Sequence, residues 1–305
     1  MGETPARSVN ELALPSSVDL TLITVAICAV STSGPLIAAT AAPALAIAFW
    51  RNAFGAAALL PFAVGRRRAE LRHLTARERR LIVLAGILLA AHFATWVPSL
   101  RYTSVASSTA LVATQPVWSA LLARSQGAII RASAWLGIGL AVVAAALLTG
   151  LDVRLSGRAL TGDVLALIGG VFAAGYVTVG AAVRRTVSTT SYTSGCYSVT
   201  AAVLLAVCLI GRQPLTGYSG DDWLRILAIT AGAQLLGHSI FNRVLRTTSP
   251  TIVSLSILFE VPGAALIAAL FLHQHVRLEQ LPAAALLLAG LALVIRSGAR
   301  AMPAE

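Results

Sequence analysis

Of the 305 residues, 57% are hydrophobic and only 11% are charged, less than half the charged fraction of an ordinary soluble domain. The formal charge of +11 rests on 23 basic residues, all arginine, but these sit in short gaps between apolar runs, with no basic groove of interleaved aromatics. That placement excludes a nucleic-acid binder and suits a membrane protein.

Runs such as 81–91, 132–148 and 281–295 are apolar on all faces, as helices in lipid are. The first 17 residues form a polar tail, and no cleavage pattern follows the first apolar run, so that run is expected to be retained. Taking about 20 residues as one bilayer crossing, an all-α integral membrane fold of ten helices is predicted. They fall at 18–39, 44–64, 81–99, 103–123, 132–150, 161–183, 190–211, 222–243, 249–272 and 279–297. The division is a tail at 1–17, a first five-helix unit at 18–150 and a second at 161–298.

In chain order, the second helix carries Arg51 about seven residues from its start, roughly 10 Å below its end at 1.5 Å per residue, with Asn52 beside it. From that depth a long side chain either snorkels outward or enters a pathway or fixed ion pair. Seven arginines then crowd the stretch from Arg66 to Arg80. On the third helix His92 and Trp96 are one turn apart. The imidazole titrates near neutral pH, and the indole offers an apolar or cation–π wall. The fourth helix spaces Ser104, Ser108, Gln115 and Ser119 along one face, with Pro116 beside the glutamine. Gln234, His238 and Asn242 recur every four residues on the eighth.

The ninth helix repeats the arrangement of the fourth with Ser249, Ser256, Glu260 and Gly263, and Pro262 follows the acid. Glu260 lies more than about 15 Å from either helix end by the helical rise, beyond snorkelling reach. Keeping a carboxylate there costs several kcal/mol unless it is protonated, paired or wetted, so Glu260 is the leading candidate for a proton-exchanging group in a pathway. The two small, polar stripes either line one cavity or form close-packing seams. The fifth and tenth helices offer no polar side chain at mid-membrane and are expected at the periphery, against lipid or a second copy, with Ala285 and Ala289 as a contact pair. Cys28, Cys196 and Cys208 lie in apolar segments at unrelated spacings and read as core residues. His273 and His275 alone make no metal set, so neither metal nor cofactor is expected.

A shift of 145 residues lays Arg101 to Ser104 on Arg246 to Ser249, Thr109 on Ser254, Gln115 on Glu260 and Ser119 on Ala264, with Pro116 one residue out of step with Pro262. Five helices fill that interval. An odd number inserts the second unit upside down, the inverted repeat of secondary transporters, whose sites lie at the repeat interface. Counting arginines on alternate sides gives sixteen on the side of both termini and five, or six with Arg225, on the other. That asymmetry predicts cytoplasmic termini.

The stretch from His92 to Val112 with Gln115 and Pro116, Arg51 early in the second helix, and the segment from Ser254 to Pro262 resemble the EamA-type transporters of the drug/metabolite transporter superfamily. The resemblance covers two tandem five-helix units. It implies transport without naming a cargo: members export amino acids, other metabolites or toxic cations, and related nucleotide-sugar carriers exchange theirs. Such repeats commonly end their fourth and ninth helices with Gly-Glu. Here those places read Ala123, Arg124, Ser125 and Leu272, His273, Gln274, His275, so no role of that acid carries over.

The expectation is therefore a plasma-membrane secondary carrier of a small polar metabolite, an exporter of amino acids or related compounds, with the lipid bilayer and a second copy in a homodimer as its expected partners. Proton coupling would run through Glu260, with Gln115, Arg51, His92, Trp96, Ser108, Ser256, Asn242, Gln234 and His238 along the pathway and Pro116 and Pro262 as hinges. The alternative is a membrane-embedded enzyme or a channel, but no HExxH, GxSxG or nucleotide-binding glycine loop is present.

Overall fold

The computed structural model describes residues 16–127, 129–244, 253, 256–274 and 277–298. These residues form an all-α bundle. Its helices are α1 (Ser17–Ser31), α2 (Ser33–Ala39), α3 (Ala44–Arg66), α4 (Arg68–His73), α5 (Ala76–Ser99), α6 (Val105–Val112), α7 (Gln115–Ser125) and α8 (Ala132–Leu155). After them come α9 (Gly157–Val183), α10 (Thr189–Ile210), α11 (Gly220–Ala228), a π-helical segment (Ile229–Gly237), α12 (His238–Val244), α13 (Glu260–Phe271) and α14 (Leu281–Gly298).

Among the described residues, eight helical stretches are long and apolar enough to cross a bilayer, and α13 is a shorter apolar helix. Large apolar side chains such as Leu136, Val142, Leu147, Leu224, Leu266 and Leu270 are exposed, a surface that only lipid covers favourably. The predicted fourth helix is present as two pieces, α6 and α7, and much of the predicted ninth before Glu260 lies outside the described residues.

Capping chemistry sets the helix starts. Ser16, Ser104, Ser188 and Ser219 each accept a hydrogen bond from the third residue onward at the start of α1, α6, α10 and α11. Thr75 and Glu78 form a capping box that starts α5 at Ala76. This is five residues earlier than the apolar pattern predicts, because the first helical turn is arginine-rich.

Hydrogen bonds between loops sort the helix ends into two groups. In the first, the Ala41 N–H donates to Asp222 (2.9 Å), the Trp50 indole to the Leu215 carbonyl (2.8 Å), and the Val105 N–H to Gln274 (3.1 Å). Arg101 there donates to the carbonyls of Thr40 and Ala42. In the second, the Ser188 N–H and hydroxyl donate to Glu70 (2.6 and 2.8 Å), the Thr186 hydroxyl donates to Glu78 (2.6 Å), and Ser133 pairs with Ser297 (2.8 Å). The 24 residues of α5 separate the groups by about 36 Å. They are the two ends of the bundle.

The most extensive helix packing is of α5 on α9, α8 on α14 and α3 on α10. Glycine decides the α8–α14 contact: a Cβ on Gly137 would lie 2.6 Å from the Gly290 carbonyl oxygen, and one on Gly290 2.8 Å from that of Gly137. So the predicted fifth and tenth helices meet each other, while Ala285 and Ala289 face outward. Glycine pairs let membrane helices approach to backbone contact, and here the pair sits on different helices rather than along one.

Candidate functional site

The site is built around Arg51. Its guanidinium does not snorkel: the residue is 2% exposed and Asn52 is 0% exposed. Arg51 Nε donates to Gln234 Oε1 at 2.8 Å, Nη1 reaches Ser33 Oγ at 3.4 Å, and the guanidinium carbon sits 4.5 Å from the centre of the Phe93 ring. Four helical segments thus converge on one cation. A guanidinium has five N–H donors, so donors remain beyond those two bonds.

A chain of amides fixes the orientation. Asn52 Nδ2 donates to the Ala48 carbonyl (2.8 Å), an acceptor by necessity, which turns Asn52 Oδ1 toward Gln234 Nε2 (3.4 Å) and leaves Gln234 Oε1 for Arg51. Gly55 makes room for it, since a Cβ there would lie 2.8 Å from Gln234 Nε2. Gln234 stands in the π-helical segment. Thr75 to Arg101 spans 26 residues, whereas the repeat-related Ser219 to Arg246 spans 27. One inserted residue is what a π turn absorbs, and such turns favour functional sites.

His92 and Trp96 stack, ring centres 5.6 Å apart. The His92 Nδ1–H donates to the Gly169 carbonyl (3.0 Å), which leaves Nε2 as the acceptor. The Trp96 indole N–H is buried and meets no acceptor among the described residues.

Glu260 is the first residue of α13, immediately after a turn at 258–259, and Gln115 is the first of α7, immediately after a turn at 113–114. Both breaks lie 145 residues apart, and each precedes its proline by two to four residues. The proline ring removes a backbone donor and crowds the carbonyl four residues back, at Val112 for Pro116 and Leu258 for Pro262. Because of the break, Ser104, Ser108, Gln115 and Ser119 do not lie on one continuous helical stripe. Ser104 caps α6, and Ser108 is fully buried against Ser99 at 2.6 Å. Gly263 is a packing seam, as its Cβ would fall 2.2 Å from Ser31 Oγ. Ser256 is partly buried and engaged, while Ser249 and the Asn242 side chain lie outside the described residues.

Glu260 and Arg51 are close enough for their charges to interact, as are His238 and His92 with Arg51 and with each other. Glu260 and His92 are partly exposed, and His238 is exposed. A separate cavity of about 560 Å³, lined by Ala106, Ala110, Pro262, Leu266, Ala284 and Leu288, is apolar and takes no part in this cluster. The apolar pattern does not disclose Ser33 and Phe93 as partners of Arg51. The Ser33-Gly34-Pro35 start of α2, just past the break at Thr32, is the one local signal for the former.

Among the described residues no cluster of three or more His, Cys, Asp or Glu is placed to hold a metal. An apolar bundle in two related halves, with a polar cluster shared across them, defines a multi-pass membrane transporter. The chain belongs to the EamA-like transporter family, whose model matches residues 16–150 and 160–296 as two domains. A solved structure titled only "Crystal structure of protein" has the same fold, with a TM-score of 0.62, 19% identity, and coverage of 91% of this chain and 96% of that one. No curated protein shows significant sequence similarity to the chain.

Proposed function

We propose that this transporter is a secondary carrier that exports amino acids or closely related zwitterions across the plasma membrane, coupled to protons through Glu260. What supports the reading is that Arg51, from the first half, and Glu260, from the second, lie near enough for their charges to interact inside an apolar bundle, and the space they share is read as the substrate void. Arg51 receives the substrate carboxylate and Glu260 its amine. A proton taken up by Glu260 neutralises the partner of that amine, so substrate and proton compete for one group. His92 and His238 border the same void, and Trp96 forms its wall.

The carrier is read as ten crossings in two inverted halves with cytoplasmic termini. The two groups of tied helix ends support this: α5 starts at the end where 186–188 lie, and its repeat mate α11 starts at the end where 40–42 lie. The arginine asymmetry gives the orientation. Breaks at 113–114 and 258–259 supply backbone that bends as the halves move.

Countertransport in proteoliposomes tests the function. Internal unlabelled amino acid should accelerate entry of labelled amino acid, with saturation. Linear, unstimulated flux would instead identify a channel.

A further inference from the structure

The two carboxylates that cap α5 and α11 each do a second job in the other half of the molecule. Glu78 is held in its capping box by Thr75, whose N–H and hydroxyl both donate to Oε2 at 2.8 Å. Its other oxygen, Oε1, accepts the Thr186 hydroxyl at 2.6 Å from the α9–α10 turn of the second half. Asp222 is held by Ser219, whose hydroxyl donates to Oδ2 at 2.9 Å. Its other oxygen, Oδ1, accepts the Ala41 N–H at 2.9 Å from the α2–α3 turn of the first half.

The correspondence is positional as well as chemical. Thr75 and Ser219 are 144 residues apart, as are Glu78 and Asp222, and Ala41 and Thr186 are 145 apart. Within the repeat this is one contact used twice, at opposite ends of the bundle. Each is reinforced by unrelated chemistry: Ser188 on Glu70 beside the first, and Arg225 beside the second, donating to the Ala39 carbonyl (3.2 Å) and to Asp222 (3.1 Å). Arg101 braces the 40–42 turn that Asp222 grips.

We propose that Glu78–Thr186 and Asp222–Ala41 are paired latches, one per membrane face, and that release of each opens the central void to its own side. This rests on the carrier reading above. Two bodies pivoting about a mid-membrane axis separate at one end as they close at the other. Opening at one end then breaks the tie at that end and keeps the tie at the other, and both are engaged in the present structure. Each latch joins a carboxylate anchored in its own helix cap to the opposing half, so breaking it leaves the cap intact.

Hydrogen–deuterium exchange of the full chain in nanodiscs tests this. Thr186→Val removes one latch hydroxyl, and Ala41→Pro removes the other latch's N–H after a Thr40 already extended at ψ 125. Neither touches a capping box. Loss of one charge-assisted hydrogen bond shifts an opening equilibrium about tenfold. In Thr186→Val, amide exchange should therefore quicken by about that factor at 184–190 and slow at 39–44; Ala41→Pro should do the reverse. Quickening at both ends together, or at neither, overturns the proposal. Since exchange is read without transport, reciprocal shifts in a protein lacking countertransport would refute the carrier reading while leaving the latches standing.

Discussion

The breaks in α6–α7 and before α13 share a backbone and differ in charge. Each places a polar residue first in the helix after the break, Gln115 in one half and Glu260 in the other, with a proline just beyond. Duplication preserved the bend in both. The ionisable group appears once, and the cation whose charge reaches it, Arg51, comes from the half that carries the glutamine. Geometry is thus the common inheritance of the halves, and charge is where they divide the work. A carboxylate at the start of α13 is also favoured by the helix dipole, which the neutral Gln115 exploits far less.

Breaking that asymmetry should produce the largest effect. Glu260→Gln makes the two breaks alike, and proton-driven uptake into proteoliposomes should fall by at least about 100-fold, because an amide cannot take up and release the coupling proton. Insertion and thermal stability should stay near the parent's. Next, Arg51→Lys keeps the charge but loses the fork that binds Gln234 while leaving donors for substrate. The half-saturation concentration in countertransport should rise about 10-fold to 100-fold, the range for one charge-assisted hydrogen bond.

Most of this architecture is legible in the sequence, and what is not has physical reasons. Most helix spans follow from apolar length, but the helical rise treats the ninth helix as continuous and so misses the turn at 258–259 that makes Glu260 the first residue of α13. The start of α5 does not follow from apolar length: Arg77, Arg79 and Arg80 resemble a loop, and only the Thr75–Glu78 spacing marks a cap. The π segment shows itself as a single extra residue between Ser219 and Arg246, visible only when the halves are compared. Arg51 partners such as Phe93 are set by tertiary packing, which periodicity does not encode. The α8–α14 contact is only half legible: α8 spaces Ser133, Gly137, Ala141 and Ala145 four apart, but on α14 the contact falls on Gly290 rather than on the Ala285 and Ala289 pair.

That contact supplies a smaller effect remote from the site. Gly290→Val should lower stability by about 1–3 kcal/mol through overpacking, read as a reduced Tm in detergent, without changing substrate affinity. The smallest effect concerns Glu70. Burial alone would raise its pKa, but the Ser188 N–H and hydroxyl, Ser191 and the Arg67 charge hold it below the usual carboxylate range. Its contribution is therefore complete above the unfolded carboxylate pKa and is lost as pH falls through the lower folded value. A slight Tm difference between the parent and Glu70→Gln at neutral pH should vanish at acid pH.

The central claim is that position 260 faces water inside the membrane. Glu260→Cys, compared with Leu266→Cys on the exposed apolar face, should react with a membrane-impermeant, charged thiol reagent and be protected by amino-acid substrate, while the control stays unlabelled. Position 260 remaining as unreactive as position 266 would contradict the account.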